Sequence, residues 1–357
     1  MQQPVTAKPS SEIRTYTGRD LAEHLPRLEK YLARADGVPL SYHPAWLYVL
    51  QQGLKQAPYC LEAVKGERTL GFLALAYVRS LLFGRFLVSL PYLNYGGACT
   101  KEEPTAARLI DEAVRLADLL GVRYLELRHE HAVEHPALTY MRTDKVHMRL
   151  ALPPTTEELW KRLTAKVRNQ VRKGQNNGLN VLWGGEELLP DFYTVFSQNM
   201  RDLGTPVYGR SLFRSILRQF PERAEICVLR AASRPAAAAL LLHGWGITEV
   251  PSASSLRAYN PTCVNMLMYW HLLERSVQRK QTAFDFGRSS RNSTTYRFKK
   301  QWGAKPSQAE WQYYLRAGKP PGLRYDNPRY QRLIRMWQRL PIGLTRLLGP
   351  RIVRGIP

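Results

Sequence analysis

The run ICVLRAASRPAAAALLLHGWGITEVPSASS, residues 226–255, decides the architecture. ICVLRAA, AAAALLLHGWG and TEVPSASS are three short apolar segments separated by Ser-Arg-Pro and by paired glycines, the punctuation of an antiparallel meander. Outward from it, the spacing predicts a helix over Pro261 to Lys280, a strand AFDFGR, a short helix from Tyr296 to Trp302 and a last strand AEWQYYL. Upstream, helices are predicted over Leu188 to Met200 and Ser211 to Gln219. A longer one over PPTTEELWKRLTAKVRNQVRKGQNNGL ends near Gly178, with Thr155 and Glu158 at capping-box spacing and Leu159, Leu163, Val167 and Val171 every fourth residue.

The first half repeats that order. A strand at Glu12 to Tyr16 and helices at Leu21 to Ala33 and Pro44 to Gln52 lead to the hairpin YCLEAVKGERTLGFLALAYV. A strand FLVSLPYLNYGG, a helix from Pro104 to Leu120 stopped by Gly121, and the strand YLELR follow. Helices packed on mixed sheets, twice over, are the order of two GNAT-type domains. The fold class expected is therefore α+β: two tandem GNAT-like domains, each a mixed, largely antiparallel sheet flanked by helices, plus a basic amphipathic C-terminal helix. The boundaries drawn from this order are 1–150, 151–320 and 321–357.

Charge separates the halves. Residues 1–150 hold 19 Lys and Arg against 16 Asp and Glu; residues 151–357 hold 33 against 13, so nearly all of the net +23 lies in the second half. A polyanionic or phosphate-bearing partner is implied, with an anionic membrane surface as the other candidate. The start, MQQPVTAKPSSEIRTYTG, lacks the ~7–15-residue apolar stretch of a signal peptide, and no apolar run reaches the ~18 residues of a spanning helix. Cys60, Cys99, Cys227 and Cys263 are scattered without a CxxC pair. A cytoplasmic protein follows, with peripheral contact at the inner face of the membrane as a further expectation.

Two basic segments carry the candidate chemistry. The first is the helix with Arg168 and Arg172 on its wet face. The second, FDFGRSSRNSTTYRFKKQWG at 284–303, leaves a strand at Gly287 and enters a helix past Ser289, Ser290, Ser293 and Thr294, whose donors suit an anion. Arg288, Arg297 and Lys300, with Tyr296 nearby, are expected to clamp phosphate, arginine giving bidentate contact. Phe298 and Trp302, at i and i+4, are expected to share the buried face and push Arg297 and Lys299 outward. His131, Glu134 and His135 fit an H-x-x-E-H metal pattern, but Pro136 follows at once and no helix is expected there, so no metal site is assigned. The amphipathic tail either docks on anionic lipid or covers the protein's own core.

SLPYLNYGG, KVRNQVRKGQNNGL, MRDLGTPVYG and NMLMYWHLLERSVQRKQTAFDFGRSSRNSTTYRFKKQWGAKP together resemble the FemAB-like family of the GNAT superfamily, and WQRLPIGLTRLLGPRIVR is similar to its exosortase- and exopolysaccharide-associated branch. The resemblance implies transfer of an acyl or aminoacyl group to an amine of a cell-envelope or exopolysaccharide precursor, nucleotide- or lipid-linked. Phe298 and Lys299 match the Phe-Lys pair at the family's transfer site, where a fixed cation stabilises an oxyanion. Asp285 is the one candidate base, or orients Arg288 or the loop. Asn94 and Tyr95, in the first stretch, are expected among the substrate-binding residues. Relatives often have glycine where this chain has Arg291 to Thr294. No bound cofactor is expected; the donor is aminoacyl-tRNA or acyl-CoA. The Gln/Arg-x-x-Gly-x-Gly/Ala loop of CoA-dependent members has no match, Gly244 with Gly246 and Gly96 with Ala98 lacking the Gln or Arg. The alternatives are a non-catalytic RNA- or anionic-lipid-binding protein and a CoA-dependent N-acetyltransferase.

Overall fold

The computed structural model describes residues 11–18, 20–34, 37–80, 83–316 and 328–356. The first part of the chain forms β1 (Glu12–Tyr16), α1 (Asp20–Leu32), α2 (Trp46–Leu54), β2 (Ala57–Lys65), β3 (Arg68–Ser80), β4 (Gly84–Val88), α3 (Glu103–Leu119), β5 (Tyr124–His129), β6 (Tyr140–Arg142) and β7 (Lys145–Ala151). Next come α4 (Thr156–Arg162), α5 (Ala165–Gln175), β8 (Leu179–Gly184), α6 (Leu189–Leu203), α7 (Arg210–Gln219), β9 (Ala224–Ala231), β10 (Arg234–His243), β11 (Ile247–Ser255) and α8 (Val264–Gln278). The chain closes with β12 (Ala283–Ser290), α9 (Thr294–Gln301), β13 (Lys305–Gln308), β14 (Glu310–Leu315), α10 (Pro328–Arg339) and α11 (Ile342–Val353).

The strands build two seven-stranded sheets, in the orders β1-β2-β3-β4-β5-β14-β6 and β13-β7-β12-β11-β10-β9-β8. Each sheet has one parallel pair in an antiparallel ladder, β4 with β5 and β11 with β12. A parallel pair needs a crossover, and the apolar helices α3 and α8 supply them. Thus β2-β3-β4-α3-β5 and β9-β10-β11-α8-β12 are two copies of one element order, and the α+β tandem GNAT-like architecture read from the meander is the observed one.

Sheet membership does not follow boundaries at 150 and 320. β7 pairs with β12 and β13 in the second sheet, while β14, beyond 309, sits between β5 and β6 in the first. Trp311 and Tyr313 of β14 pack there with Val78, Phe86, Val88 and Tyr124. A larger core joins the two halves: Trp46, Leu47 and Leu50 of α2 pack with Phe192, Phe196, Phe213 and Phe220 and with Leu240 of β10. Burying each such side chain contributes about 1.5–3 kcal/mol, so the halves are fixed to one another by a shared apolar interior.

Three local expectations are corrected. The long helix toward Gly178 is two helices, α4 and α5, because Leu163 is extended (ψ 145°) and Thr164 makes a second cap, its Oγ1 accepting from Val167 N. FLVSLPYLNYGG stops being a strand at Val88, since Pro91 has no N–H to give a ladder. Its continuation is irregular, with φ of +50° at Leu90 and +81° at Tyr92. Of the tail drawn at 321–357, residues 321–327 and 357 lie outside the described residues; the rest is two helices broken at Pro341, not one.

Candidate functional site

β11 and β12 pair through Ile247 with Ala283, Thr248 with Phe284 and Glu249 with Asp285, and there the parallel ladder ends. On its other edge β12 shifts register against β7 between Asp285 and Arg288. Gly287, in the shift, has φ +74°, a conformation that costs any other residue about 1–2 kcal/mol. A Cβ there would lie 3.1 Å from Asn94 Nδ2. After the shift Ser293 caps α9, its Oγ accepting from Tyr296 N at 3.1 Å. Trp302 and the half-buried Phe298 pack on Tyr269 of α8.

Lys299 points inward, contrary to the outward orientation expected for it. At 100° per residue Lys299 falls beside Trp302 on the helix wheel, whereas Arg297 and Lys300 share the opposite side. Its side chain is buried, and Nζ donates to the carbonyls of Gly287 at 3.1 Å and Arg288 at 2.9 Å. The register shift turns these two carbonyls toward α9, replacing water around the ammonium. Two of three N–H groups are thereby taken and one is left. Burial lowers the lysine to about 8; Asp285 opposes this and Arg288 adds to it. At neutral pH the ammonium keeps its proton while being poorly solvated.

Asp285 is buried and saturated with donors. Tyr95 OH donates to Oδ2, Gly287 N donates to Oδ1 at 2.6 Å, and Arg149 Nη2 lies 3.4 Å from Oδ2. Arg149 also pairs with Glu130 at 2.7 Å. Tyr95 stacks on His147 with centroids 4.3 Å apart. Of the two orienting roles expected for Asp285, the geometry supplies the loop: it anchors Gly287. Arg288 turns elsewhere, donating from Nε to Asn94 Oδ1 at 3.0 Å and lying 3.5 Å from the Trp311 ring centroid. Burial first, then Arg128, lowers Arg288, though a guanidinium keeps its proton at any physiological pH. Asn94 and Tyr95, far upstream of the second sheet's helices, thus meet β12 directly through the strained loop that follows β4.

The cations do not converge on one cleft. Arg288 is inside; Arg297 and Lys300 are exposed on the outer side of α9. Arg168 Nη1 donates to the Leu163 carbonyl, and Arg172 lies 5.5 Å from the Trp160 centroid. α8 stands between these and α9, since its Trp270 meets Trp160 while its Tyr269 meets Phe298. Ser289 is buried with an unpartnered Oγ, and Ser290 Oγ accepts from Lys145 Nζ. Charge density along the chain is a poor guide because helix periodicity and α8 divide it among three surfaces. Residues 131–135 are irregular, and His135 Nε2 meets Asp111 Oδ1 at 3.1 Å.

Glu249 was not anticipated. It is buried opposite Asp285, its carboxylate accepting from Ser41 N at 2.9 Å and from Ser41 Oγ. Both acids line a small cavity of about 50 Å³ with Tyr92, Asn94 and Pro251, where β11 and β12 separate. Burial, with Asp285 next to it, raises Glu249 to about 7. A lone acid between Ile247 and Val250 of an apolar strand was its one trace in the sequence. Beyond Arg149 and Glu130 opens a larger cleft of about 520 Å³ lined by Tyr42, His129, Glu130, Arg34, Arg68 and Lys101 among others. His129 is buried with neither ring nitrogen partnered, and burial lowers it to about 4.

Residues 161–300 match the family described as acetyltransferase (GNAT) domain. No curated protein sequence matches the chain. Among solved structures, FemX superposes with a TM-score of 0.62 at 13% identity, covering 88% of this chain and 98% of its own. The C-terminal domain of an Agrobacterium fabrum protein described as a putative lysylphosphatidylglycerol synthetase gives 0.55 at 11%, covering 82% and 92%. L-PGS from Bacillus licheniformis gives 0.54 at 12%, covering 97% and 99%. At these identities the likeness is one of fold.

Proposed function

We propose, from the match of residues 161–300 to the family described as acetyltransferase (GNAT) domain and from the FemX-like fold, that the chain transfers an acyl or aminoacyl group to an amine of a cell-envelope or exopolysaccharide precursor. The observation that carries the reading is Lys299, an ammonium withdrawn from water, held by two carbonyls and left with one N–H to give.

The chemistry follows from that arrangement. The acceptor amine attacks the donor's carbonyl carbon, a C–N bond forms, and the π pair moves to oxygen, where the free N–H of Lys299 meets the developing oxyanion. Such an N–H in a dry site lowers the barrier by about 3–4 kcal/mol. Collapse expels the ester oxygen or thioester sulfur of the donor. The proton lost by the amine passes to Glu249, whose value near 7 suits a base at neutral pH, and from there to the leaving group. Phe298 walls the acyl group, and Asp285 with Tyr95 and Arg149 fixes the Gly287 turn on which Lys299 depends. The cleft beside Glu130 takes the acceptor, with Arg34, Arg68 and Lys101 near its phosphates. Aminoacyl-tRNA or acyl-CoA is the donor, and the reaction takes place at the cytoplasmic face of the membrane.

Purified protein incubated with labelled aminoacyl-tRNA or acetyl-CoA, and with amine-bearing nucleotide- and lipid-linked glycan precursors, tests this by mass spectrometry of the acceptor. An adduct on an amine from one donor class is expected. No adduct from either donor, together with equal retention of charged and uncharged RNA, would replace the transferase by a nucleic-acid-binding protein.

A further inference from the structure

α10 and α11 each pack on α6. On the inner side, Ile334 closes on Gly204, where a Cβ would come within 2.4 Å of Ile334 Cγ2. Gln338 Nε2 donates to the Asp202 carbonyl at 3.1 Å, Arg201 Nη1 to the Leu340 carbonyl at 3.2 Å, and Arg346 Nε to Ser197 Oγ at 2.9 Å. In α11 the buried positions are Thr345, Gly349 and Val353. The two helices are therefore a fixed part of the fold, and covering the protein's own core uses only one side of each.

Among the described residues, the other side of each helix leaves large apolar side chains exposed. Leu333 and Met336 of α10 are 58% and 65% exposed, and Leu347 of α11 is 59% exposed with Leu344 beside it at 39%. Leu333, Met336 and the half-buried Leu340 follow i, i+3, i+7, one stripe along the helix, and Arg332, Arg335 and Arg339 repeat the same spacing one residue earlier. The arginines form an adjacent parallel stripe, all exposed. From 328 to 356 the chain has seven arginines and no aspartate or glutamate. Apolar tips flanked by guanidinium groups, without one compensating acid, complement a surface with phosphates outside and hydrocarbon beneath. No helix among the described residues is long and apolar enough to cross a membrane, so docking by α10 and α11 would be along the bilayer surface.

We infer that the α10–α11 segment docks the protein on an anionic lipid bilayer, Leu333 and Met336 of α10 entering the headgroup boundary and Arg332, Arg335 and Arg339 holding lipid phosphates. This deepens the proposed transfer at the membrane, on which it rests, by making the lipid-linked precursor the acceptor the bound protein meets.

Sedimentation of the full chain with vesicles of phosphatidylglycerol and phosphatidylcholine, and with phosphatidylcholine alone, tests it. Binding to the anionic vesicles is expected, weakening as salt rises. Leu333→Glu/Met336→Glu should lower the partition at least tenfold, and Arg332→Gln/Arg335→Gln/Arg339→Gln by about fivefold for each charge removed. Both variants should keep the wild-type melting temperature and the wild-type rate on a water-soluble amine acceptor. That last comparison separates the two ideas: lost binding with intact soluble turnover concerns docking alone. Equal partition of wild type to the two vesicle types, or unchanged binding of the Leu333→Glu/Met336→Glu variant, would overturn the inference. So would a wild-type dimer that this substitution splits in sedimentation velocity while vesicles bind neither form, since the face would then meet a second copy.

Discussion

Replacing Glu249 by Gln ties the small cavity to a measurable pH dependence. In the fold this carboxyl titrates near 7 rather than at its ordinary 4.5, through burial and the neighbouring Asp285. Between those two values the folded chain holds a proton that the unfolded chain has released. Stability contributed by this group is therefore full at acid pH and falls as pH rises through the window, levelling above about 7. Each pH unit is worth about 1.4 kcal/mol, so the loss is about 3 kcal/mol in all. The amide of Glu249→Gln preserves shape and can still accept from Ser41 N, while its NH₂ faces a hydroxyl that rotates to accept. Urea unfolding at a series of pH values between about 5 and 9 should show the difference between wild type and variant changing by about 3 kcal/mol, the variant gaining at the alkaline end. Acyl transfer should fall with it. A difference in stability that stays constant across that range would refute the reasoning, because Glu249 would then be ionised in the fold throughout.

Asp285→Asn removes the charge that Arg149, Tyr95 and the Gly287 amide share, and should cost about 3 kcal/mol in urea unfolding; a cost below about 0.5 kcal/mol, the range of an ordinary surface change, would deny it the anchoring role. Gly287→Ala forces a Cβ into a left-handed turn against Asn94 and should lower stability by about 1–2 kcal/mol. It should also reduce kcat more than it raises KM, since the carbonyls that seat Lys299 move with the turn.

The periodic parts of the fold are legible in the order of residues alone: three strands, a crossover helix and a fourth strand, written twice. Boundaries fail where one residue carries two messages. Leu163 continues an apolar stripe that Thr164 interrupts as a cap, and SLPYLNYGG is apolar enough for a strand but contains a proline that denies it a ladder. Strand exchange is invisible because β7 and β14 look alike to either sheet; only pairing partners distinguish them. Within the site, the basic segment singles out Asp285, Arg288 and Lys299 and the family resemblance adds Asn94 and Tyr95, and the fold places all five in one cluster. Charge misdirects on orientation: a lysine is expected in water, but the wheel sets Lys299 beside Trp302, and the shift at Gly287 offers its ammonium two carbonyls. Glu249 escapes because its consequence, a carboxyl beside a carboxyl across a parallel pair, depends on a register no local pattern encodes.

The most direct measurement is the single-turnover rate of acyl transfer by Lys299→Met beside wild type, with substrate binding measured separately. If the buried ammonium meets the oxyanion, the chemical step slows by about 10²–10³-fold while substrate affinity changes little. Rates within about fivefold of each other, with the variant folded, would mean that Lys299 merely ties α9 to β12 and that the transfer chemistry lies elsewhere.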